Sequence, residues 1–212
     1  MFNHIYYKIS PTDYILNTDA IIEPFTLDYV KDYLRISSTD DDVLIGDLIT
    51  TARNFGEKYT GRDFINKTYV CYLNNFPFNY AEIEIRKSKL TSITSIQYYK
   101  DDVLTTIDSS IYYFTDNNEY SSILVKDGQS WATDADNRKQ AVKITFVSGY
   151  GATADDVPQG IKTAMLAHIA SMYENRGDCS DCDIAFKNSK AASLYAPYRL
   201  SSTMLEVVHG LW

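Results

Sequence analysis

The sequence predicts an α+β fold: a small α-helical bundle with three main helices, an inserted antiparallel β-domain and a C-terminal tail. Three observations predict it. Apolar residues recur at helical spacing before residue 61 and again after residue 158, whereas residues 67–147 alternate with a period of two. Two of the helical segments close on similar motifs, Tyr59-Thr60-Gly61-Arg62 and Tyr173-Glu174-Asn175-Arg176. This order is typical of an assembly component, and no set of catalytic residues accompanies it.

The helical part is predicted over residues 25–64, after an N-terminal arm of residues 1–24 that lacks a helical period. Thr26 can cap a first helix of about residues 26–36. A continuous apolar stripe from Leu44 to Tyr59 predicts a second helix, which Gly61 should end in the left-handed conformation.

The β-domain is predicted over residues 65–150. Turn residues rich in Asp, Asn and Gly separate its alternating segments, which indicates an antiparallel meander or a small sandwich. The segments are about 67–74, 82–86, 93–99, 110–114, 121–126 and 141–147.

A third helix is predicted within residues 151–177, with Pro158 in its first turn and Gly177 as its stop. Residues 178–193 are polar and are predicted to form a mobile loop. Residues 194–212 regain apolar content and form the C-terminal tail.

Composition excludes several classes of protein. The 212 residues are 45% hydrophobic, which suffices for one core and a smaller second layer. The net charge is -8 with a pI near 4.8 and there is no basic stripe, so tight binding of nucleic acid through its phosphates is excluded. We expect a cytosolic protein with reduced cysteines, because there is no long apolar run, no signal-peptide pattern and an odd count of three cysteines.

The candidate chemical motifs favour structural roles. Cys179 and Cys182 have the spacing of half a zinc site, but no second ligand pair follows, so we expect two dispensable thiols. The run Asp40-Asp41-Asp42 is interpreted as helix N-terminal charge, and the acidic residues near 134–137 as a solvated turn. His168 is interpreted as a core-edge residue. We therefore expect no catalytic residue, no metal and no cofactor.

The eighteen tyrosines allow two interpretations, contact with a partner or packing on the β-core. Both stay open for the tyrosines of the arm, Tyr6, Tyr7 and Tyr14. Packing is preferred for four others: Tyr98, Tyr99, Tyr112 and Tyr113.

A series of motifs resembles the head-to-tail connector (adaptor) proteins of tailed bacteriophages. It begins with residues 25–36, the three aspartates at 40–42 and the motif at 59–62. Further matches follow in the same order: Leu90-x-x-Ile93-x-x-Ile96, Gly128-Gln129-Ser130-Trp131, Val147-Ser148-Gly149-Tyr150-Gly151, Val157-Pro158, Tyr173-Glu174-Asn175-Arg176 and Ala196-Pro197-Tyr198-Arg199. The resemblance covers about residues 25–199.

The resemblance implies a non-enzymatic protein of the virion, made in the host cytoplasm and placed at the portal vertex or neck. There, identical subunits would form a ring of twelve beneath the portal protein. The ring would extend the channel for the genomic DNA, without sequence-specific binding, and would support the next neck or tail-completion protein. The alternative is a tail or baseplate module with a glycan-binding β-domain.

The tail is the candidate interface with the portal or a neighbouring subunit. Its apolar residues are numerous for a terminus, and related connectors use C-terminal segments for docking. The alternative is packing on the protein's own helices. The candidate residues are Tyr198, Arg199, Leu200, Met204, Leu205, Val208, Leu211 and Trp212.

Overall fold

The computed structural model describes residues 8–11, 13–78, 81–87, 89–117, 120–175 and 190–200. The chain divides into two compact units. A β-unit contains residues 8–19 and Asn66–Gly149, and a helical unit contains Ala20–Ile65 and Tyr150–Leu200. The mixed fold of helices and antiparallel sheets is confirmed, and the break after Ile65 lies one residue from the predicted one.

The described residues of the helical unit form four helices: α1 (Leu27–Leu34), α2 (Asp42–Thr60), α3 (Gln159–Glu174) and α4 (Ala191–Tyr195). The prediction of three main helices omitted the short α4. Thr26 caps α1 as predicted, since its hydroxyl accepts the N–H of Tyr29 at 3.3 Å. Gly61 ends α2 with φ 73°, also as predicted.

The third helix differs at both ends from its prediction. Pro158 lies just before the first residue of α3, and the helix ends at Glu174 with Asn175 as its C-cap. The predicted stop at Gly177 lies outside the described residues. Apolar faces of the four helices enclose one core, formed by Val30, Ile45, Ile49, Ala52, Phe64, Ile65, Val157, Ile161, Ala164, Met165, Leu166, Ile169, Met172, Ala191 and Tyr195.

The described residues of the β-unit form nine strands: β1 (Lys8–Ile9), β2 (Tyr14–Thr18), β3 (Lys67–Leu73), β4 (Glu82–Ile85), β5 (Leu90–Lys100), β6 (Val103–Thr106), β7 (Tyr112–Asp116), β8 (Ser121–Val125) and β9 (Val142–Ser148). A five-stranded sheet has the order β2-β3-β9-β5-β6, and all its pairs are antiparallel. A four-stranded sheet has the order β1-β4-β8-β7, in which β1 is parallel to β4. Apolar side chains from both sheets form a second core.

The sequence interpretation missed three strands. In place of an arm, the described part of residues 1–24 contributes β1 and β2 to the sheets. Strand β6, the hairpin partner of β5, was not predicted. The physical reason is exposure: residues 15–18 and most of β6 are exposed on both faces, so no apolar alternation marks these strands.

Candidate functional site at the ends of the helices

The start of α2 joins three segments of the helical unit. The ammonium of Lys31, near the end of α1, forms an ion pair with Asp42 in the first turn of α2. The hydroxyl of Tyr173, near the end of α3, donates to the carboxylate of Asp41. The predicted role of the aspartates as helix N-terminal charge holds for Asp42, and two family-like motifs 132 residues apart meet here.

The end of α2 is bound by the segment that follows α4. The Nε–H of Arg62 donates to the carbonyl of Tyr198 at 2.6 Å, and the N–H of Leu200 donates to the carbonyl of Thr60 at 2.9 Å. The guanidinium of Arg199 lies 5.3 Å from the centre of the Tyr59 ring, a cation–π distance. The motif at residues 59–62 thus contacts the motif at residues 196–199 through both backbone and side chains.

Two glycines permit this close packing. A Cβ at Gly56, in α2, would lie 2.7 Å from the Phe64 ring and 2.7 Å from the Tyr195 hydroxyl. A Cβ at Gly160, in the first turn of α3, would lie 2.4 Å from the Tyr198 hydroxyl. Larger residues at either position would displace the aromatic rings that hold the last described segment.

A buried ionic network crosses the helical unit. The guanidinium of Arg53 is 4% exposed and pairs with Glu23 at 2.8 Å and with Glu57 at 3.3 Å. Glu57 also accepts the N–H of Phe64 at 2.8 Å, and Glu23 accepts the hydroxyl of Thr50 at 3.0 Å. Sequence reasoning missed this network, although the four-residue spacing of Arg53 and Glu57 was a signal for their pair. These contacts pair the buried guanidinium with carboxylates, and the network holds its segments together.

The titratable groups of the cores are also structural. His168 is fully buried in α3, with its ring edge-on to Phe55 at 5.1 Å, and burial lowers its pKa to about 4. It lies inside the core, deeper than the predicted core edge. Burial raises the pKa of the Cys71 thiol to about 12, which makes this cysteine a poor nucleophile. The described residues contain no cluster of side chains able to hold a metal ion, and no described helix is long and apolar enough to cross a membrane.

The structure separates the candidate tail residues into two groups. Leu200 is 2% exposed, and its N–H bonds to Thr60, so this residue is buried within the chain itself. Tyr198 and Arg199 make the contacts with α2 and α3 described above. The other candidates lie outside the described residues: Met204, Leu205, Val208, Leu211 and Trp212. Arg176 and the cysteine pair, Cys179 and Cys182, also lie outside them.

The tyrosines of the β-unit mostly pack on its core. Tyr14 meets Phe146 edge-on at 6.1 Å and accepts the N–H of Arg86 at 2.8 Å, so the structure favours packing for this residue. Tyr98 and Tyr112 are buried. Tyr99 lies under the guanidinium of Arg138, and Tyr113 is 43% exposed. Tyr6 and Tyr7 lie outside the described residues.

Trp131 does not support the alternative of a glycan-binding β-domain. Trp131 is 3% exposed, and its ring stacks on Phe76 with centroids 5.3 Å apart. Its Nε1–H donates to the carbonyl of Ala81 at 3.4 Å. A sugar-binding tryptophan presents its face to solvent, whereas this one belongs to the core.

Comparison with known proteins agrees with this geometry. Residues 24–117 match the family model described as "Phage gp6-like head-tail connector protein". No match was found among curated proteins.

Solved structures extend the similarity to the fold. The neck of an empty gene transfer agent particle, solved with C6 symmetry, contains a chain with 17% identity and a TM-score of 0.69; the match covers 89% of this chain and 96% of that one. A native virion of such a particle gives 16% identity, a TM-score of 0.67 and coverages of 89% and 95%. A chain in a native neck, solved with C12 symmetry, has 17% identity and a TM-score of 0.65; the match covers 88% of this chain and 96% of that one. The solved structures show that this chain shares its fold, over most of its length, with chains of these particles. The predicted resemblance to the phage head-tail connector family is confirmed over residues 24–117, where the family model matches.

Proposed function

We propose that this chain is a structural head-to-tail connector, of which several copies form a ring beneath the portal of a tailed-phage-like particle. The ring extends the DNA channel and supports the next neck or tail protein. The observation that carries the proposal is the similarity of fold to a neck protein over 89% of this chain and 96% of that protein. The role is non-enzymatic, in keeping with the structural use of the polar groups described above.

The symmetry of the similar structures supports a ring. Those necks were solved with C6 and C12 symmetry, and a ring requires two different surfaces on each subunit that meet head to tail. We propose twelve copies. The free protein is monomeric or weakly associated, because the portal supplies a template that raises the effective concentration of neighbouring subunits.

The acidic charge supports a role along a DNA path. A net charge of -8 disfavours retention of phosphates, so DNA can slide past the protein. The genomic DNA is thus a passing partner, without sequence-specific contacts.

We propose that the tail beyond Leu200 docks into the portal or a neighbouring subunit. The side chain of Leu200 is buried and its N–H bonds to Thr60, so we place the start of the docking segment at residue 201. Its anchors are Met204, Leu205, Val208, Leu211 and Trp212. A tryptophan anchor contributes about 2 kcal/mol or more, and a ring repeats it around the circumference.

Deletion of residues 201–212 tests the proposal. Because Leu200 stays, the truncated protein should be folded and soluble, with an unchanged melting temperature, but it should no longer bind the portal. Particles assembled with it should contain DNA-filled heads that leak or lack tails, as seen by electron microscopy. A full-length variant with Cys179→Ser and Cys182→Ser is the control, and it should bind the portal and yield normal particles.

Two results would contradict the proposal. If the truncated chain still joins the portal and supports infectious or transducing particles, the tail does not dock. If imaging of labelled particles finds a single copy per vertex, or finds the chain away from the neck, the connector function itself is wrong.

A further inference from the structure

The five-stranded sheet ends in two strands whose outer edges no described strand covers. These edges are β2 on one side and β6 on the other. On β2, Ile15 is 52% exposed and Leu16 46%; on β6, Val103 is 63% exposed and Leu104 38%. An uncovered edge presents unpaired N–H and C=O groups, so each edge is suited to pairing with a further strand.

Neither edge strand carries the residues that usually prevent such pairing. Residues 14–18 and 103–106 contain no charge and no proline; the charged residues Asp13, Asp19, Asp101 and Asp102 only flank them. Pairing of β2 with β3 is irregular between Leu16 and Thr18, which leaves the regular stretch at residues 14–16. The two edges are thus short, apolar on the outside and open along part of their length.

Both edges are held in place by contacts within the β-unit. The carboxylate of Asp136 accepts the N–H groups of Asp101 and Asp102, each at 2.9 Å, and these residues form the positive-φ turn between β5 and β6. Lys67 pairs with Asp19, just after β2, at 2.9 Å. An edge strand whose position is already fixed loses less conformational freedom when it pairs with another strand.

The exposed aliphatic residues of β2 and those of β6 lie on the same two faces of the sheet. Leu16 pairs with Tyr69 on the core side of the sheet, and Val103 pairs with Lys100 on the same side. Ile15 and Leu104 lie on the opposite side, since neighbouring residues of a strand alternate. Each edge therefore offers one exposed aliphatic side chain on each face, and joined edges would continue both apolar faces.

Strand direction distinguishes a ring from a dimer. Four antiparallel steps separate β2 from β6, so the two edge strands run in the same N-to-C sense across the sheet. Neighbours in a twelve-fold ring are rotated by 360°/12 = 30°, which nearly preserves strand direction. Their β6 and β2 edges would therefore meet in parallel. A two-fold dimer would instead pair β2 with β2 or β6 with β6, antiparallel.

We propose that strand β6 of one copy pairs in parallel with strand β2 of the next copy, so that the five-stranded sheets form a continuous belt. The occupant of each edge is a second copy of this chain. This inference rests on the ring of the proposed function, and it names the surface through which the subunits join.

Disulfide trapping across the proposed junction tests it. In a Cys179→Ser, Cys182→Ser background, Ile15→Cys is combined with Leu104→Cys on one face, and Leu16→Cys with Val103→Cys on the other. Paired strands lie about 4.8 Å apart, within the range for a disulfide, and a short bismaleimide allows for a shift of one residue. The variants are oxidised as concentrated purified protein and within purified particles.

The expected result is a ladder of covalent oligomers beyond the dimer for both double variants. Single-cysteine variants should give little product, whereas an isologous contact would give dimers from one cysteine alone and would overturn the proposal. Absence of ladders in both protein and particles, with each reagent, would also overturn it, including the case in which another segment of the same chain covers the edges.

Charge at the edges gives a second measurement. Ile15→Lys and Leu104→Lys should leave the melting temperature unchanged and abolish ring formation, while Val43→Lys, at an aliphatic residue 80% exposed on α2, should not. If rings still form with charged edges, the belt is wrong and the connector function stands. If the wild-type chain is absent from the neck, the proposed function fails separately.

Discussion

Two glycines of helix α2 show how single residues are constrained by the packing around them. Beyond its chain neighbours and the backbone of its own helix, Gly46 has no described atom within 4 Å of the place where a Cβ would lie, whereas Gly56 faces Phe64 and Tyr195 at 2.7 Å. Both have the same low helix propensity, so only the tertiary surroundings distinguish them. The pair therefore separates backbone propensity from close packing within one helix.

We predict opposite effects of alanine at these positions. Gly46→Ala should stabilise the protein by up to about 1 kcal/mol through helix propensity. Gly56→Ala should destabilise it by about 1 to 3 kcal/mol, because two aromatic rings must move. Denaturant unfolding of both variants measures the difference, and equal changes would show that Gly56 is not a contact position.

His168 predicts a specific dependence of stability on pH. Its pKa falls from 6.5 in the unfolded chain to about 4 in the fold, because burial disfavours the charged ring. The unfolded state therefore binds more protons between these values, so this residue's contribution is fully present above pH 6.5 and is lost as the pH falls to 4. The loss is about 3 kcal/mol over that window.

The pH prediction is checked by unfolding experiments between pH 4 and 7 on the wild type and on His168→Phe. In the variant, the free energy of unfolding should depend less steeply on pH, because the contribution of His168 is missing. The carboxylates contribute equally in both proteins. The imidazole resonances of His168, identified by their absence from the spectrum of His168→Phe, should titrate near pH 4. A midpoint near 6.5 for these resonances would contradict the burial of the ring.

At the scale of elements, the ends of helix α2 unite distant parts of the chain. Lys31 and Tyr173 reach the start of α2, and Tyr198 and Leu200 reach its end. Hydrogen bonds over such sequence separations close only when the helices are packed. The motifs that resemble the connector family thus hold the helices together.

We predict that Gly160→Ala loosens the segment of residues 196–200 without unfolding the helices. The new methyl group would meet the Tyr198 hydroxyl at 2.4 Å, and this side chain can swing away more easily than α3 can move. Hydrogen exchange should increase at Leu200, whose N–H bonds to Thr60. Adding Tyr198→Phe should restore protection, since the nearest remaining ring atoms lie at 3.0 Å or more. No rescue would mean that the clash lies elsewhere.

At the scale of the whole molecule, the net charge predicts a low affinity for DNA. The net charge of -8 predicts that it does not retain a duplex at about 150 mM salt, even at about 100 µM protein, the weak end of non-specific affinities. Fluorescence anisotropy of a labelled duplex measures this. Saturable binding that weakens with salt would reveal a local basic surface and would contradict a freely sliding DNA.

The sequence by itself determined the elements in which burial is one-sided. Helices α1, α2 and α3 and the central strands carry an apolar period because each buries one face, and local signals such as Thr26 and Gly61 mark where helices begin and end. The order of these elements and their motifs sufficed for the resemblance to connector proteins.

Only the tertiary structure decided which distant residues meet and which surfaces stay open. Strands β2 and β6 are exposed on both faces, so they have no period in the sequence and become strands only by pairing with β3 and β5. The network of Arg53 includes Glu23, and the backbone of Leu200 bonds to Thr60, so both depend on residues far apart in the chain. Such contacts arise from packing, which local patterns of apolar and polar residues do not encode.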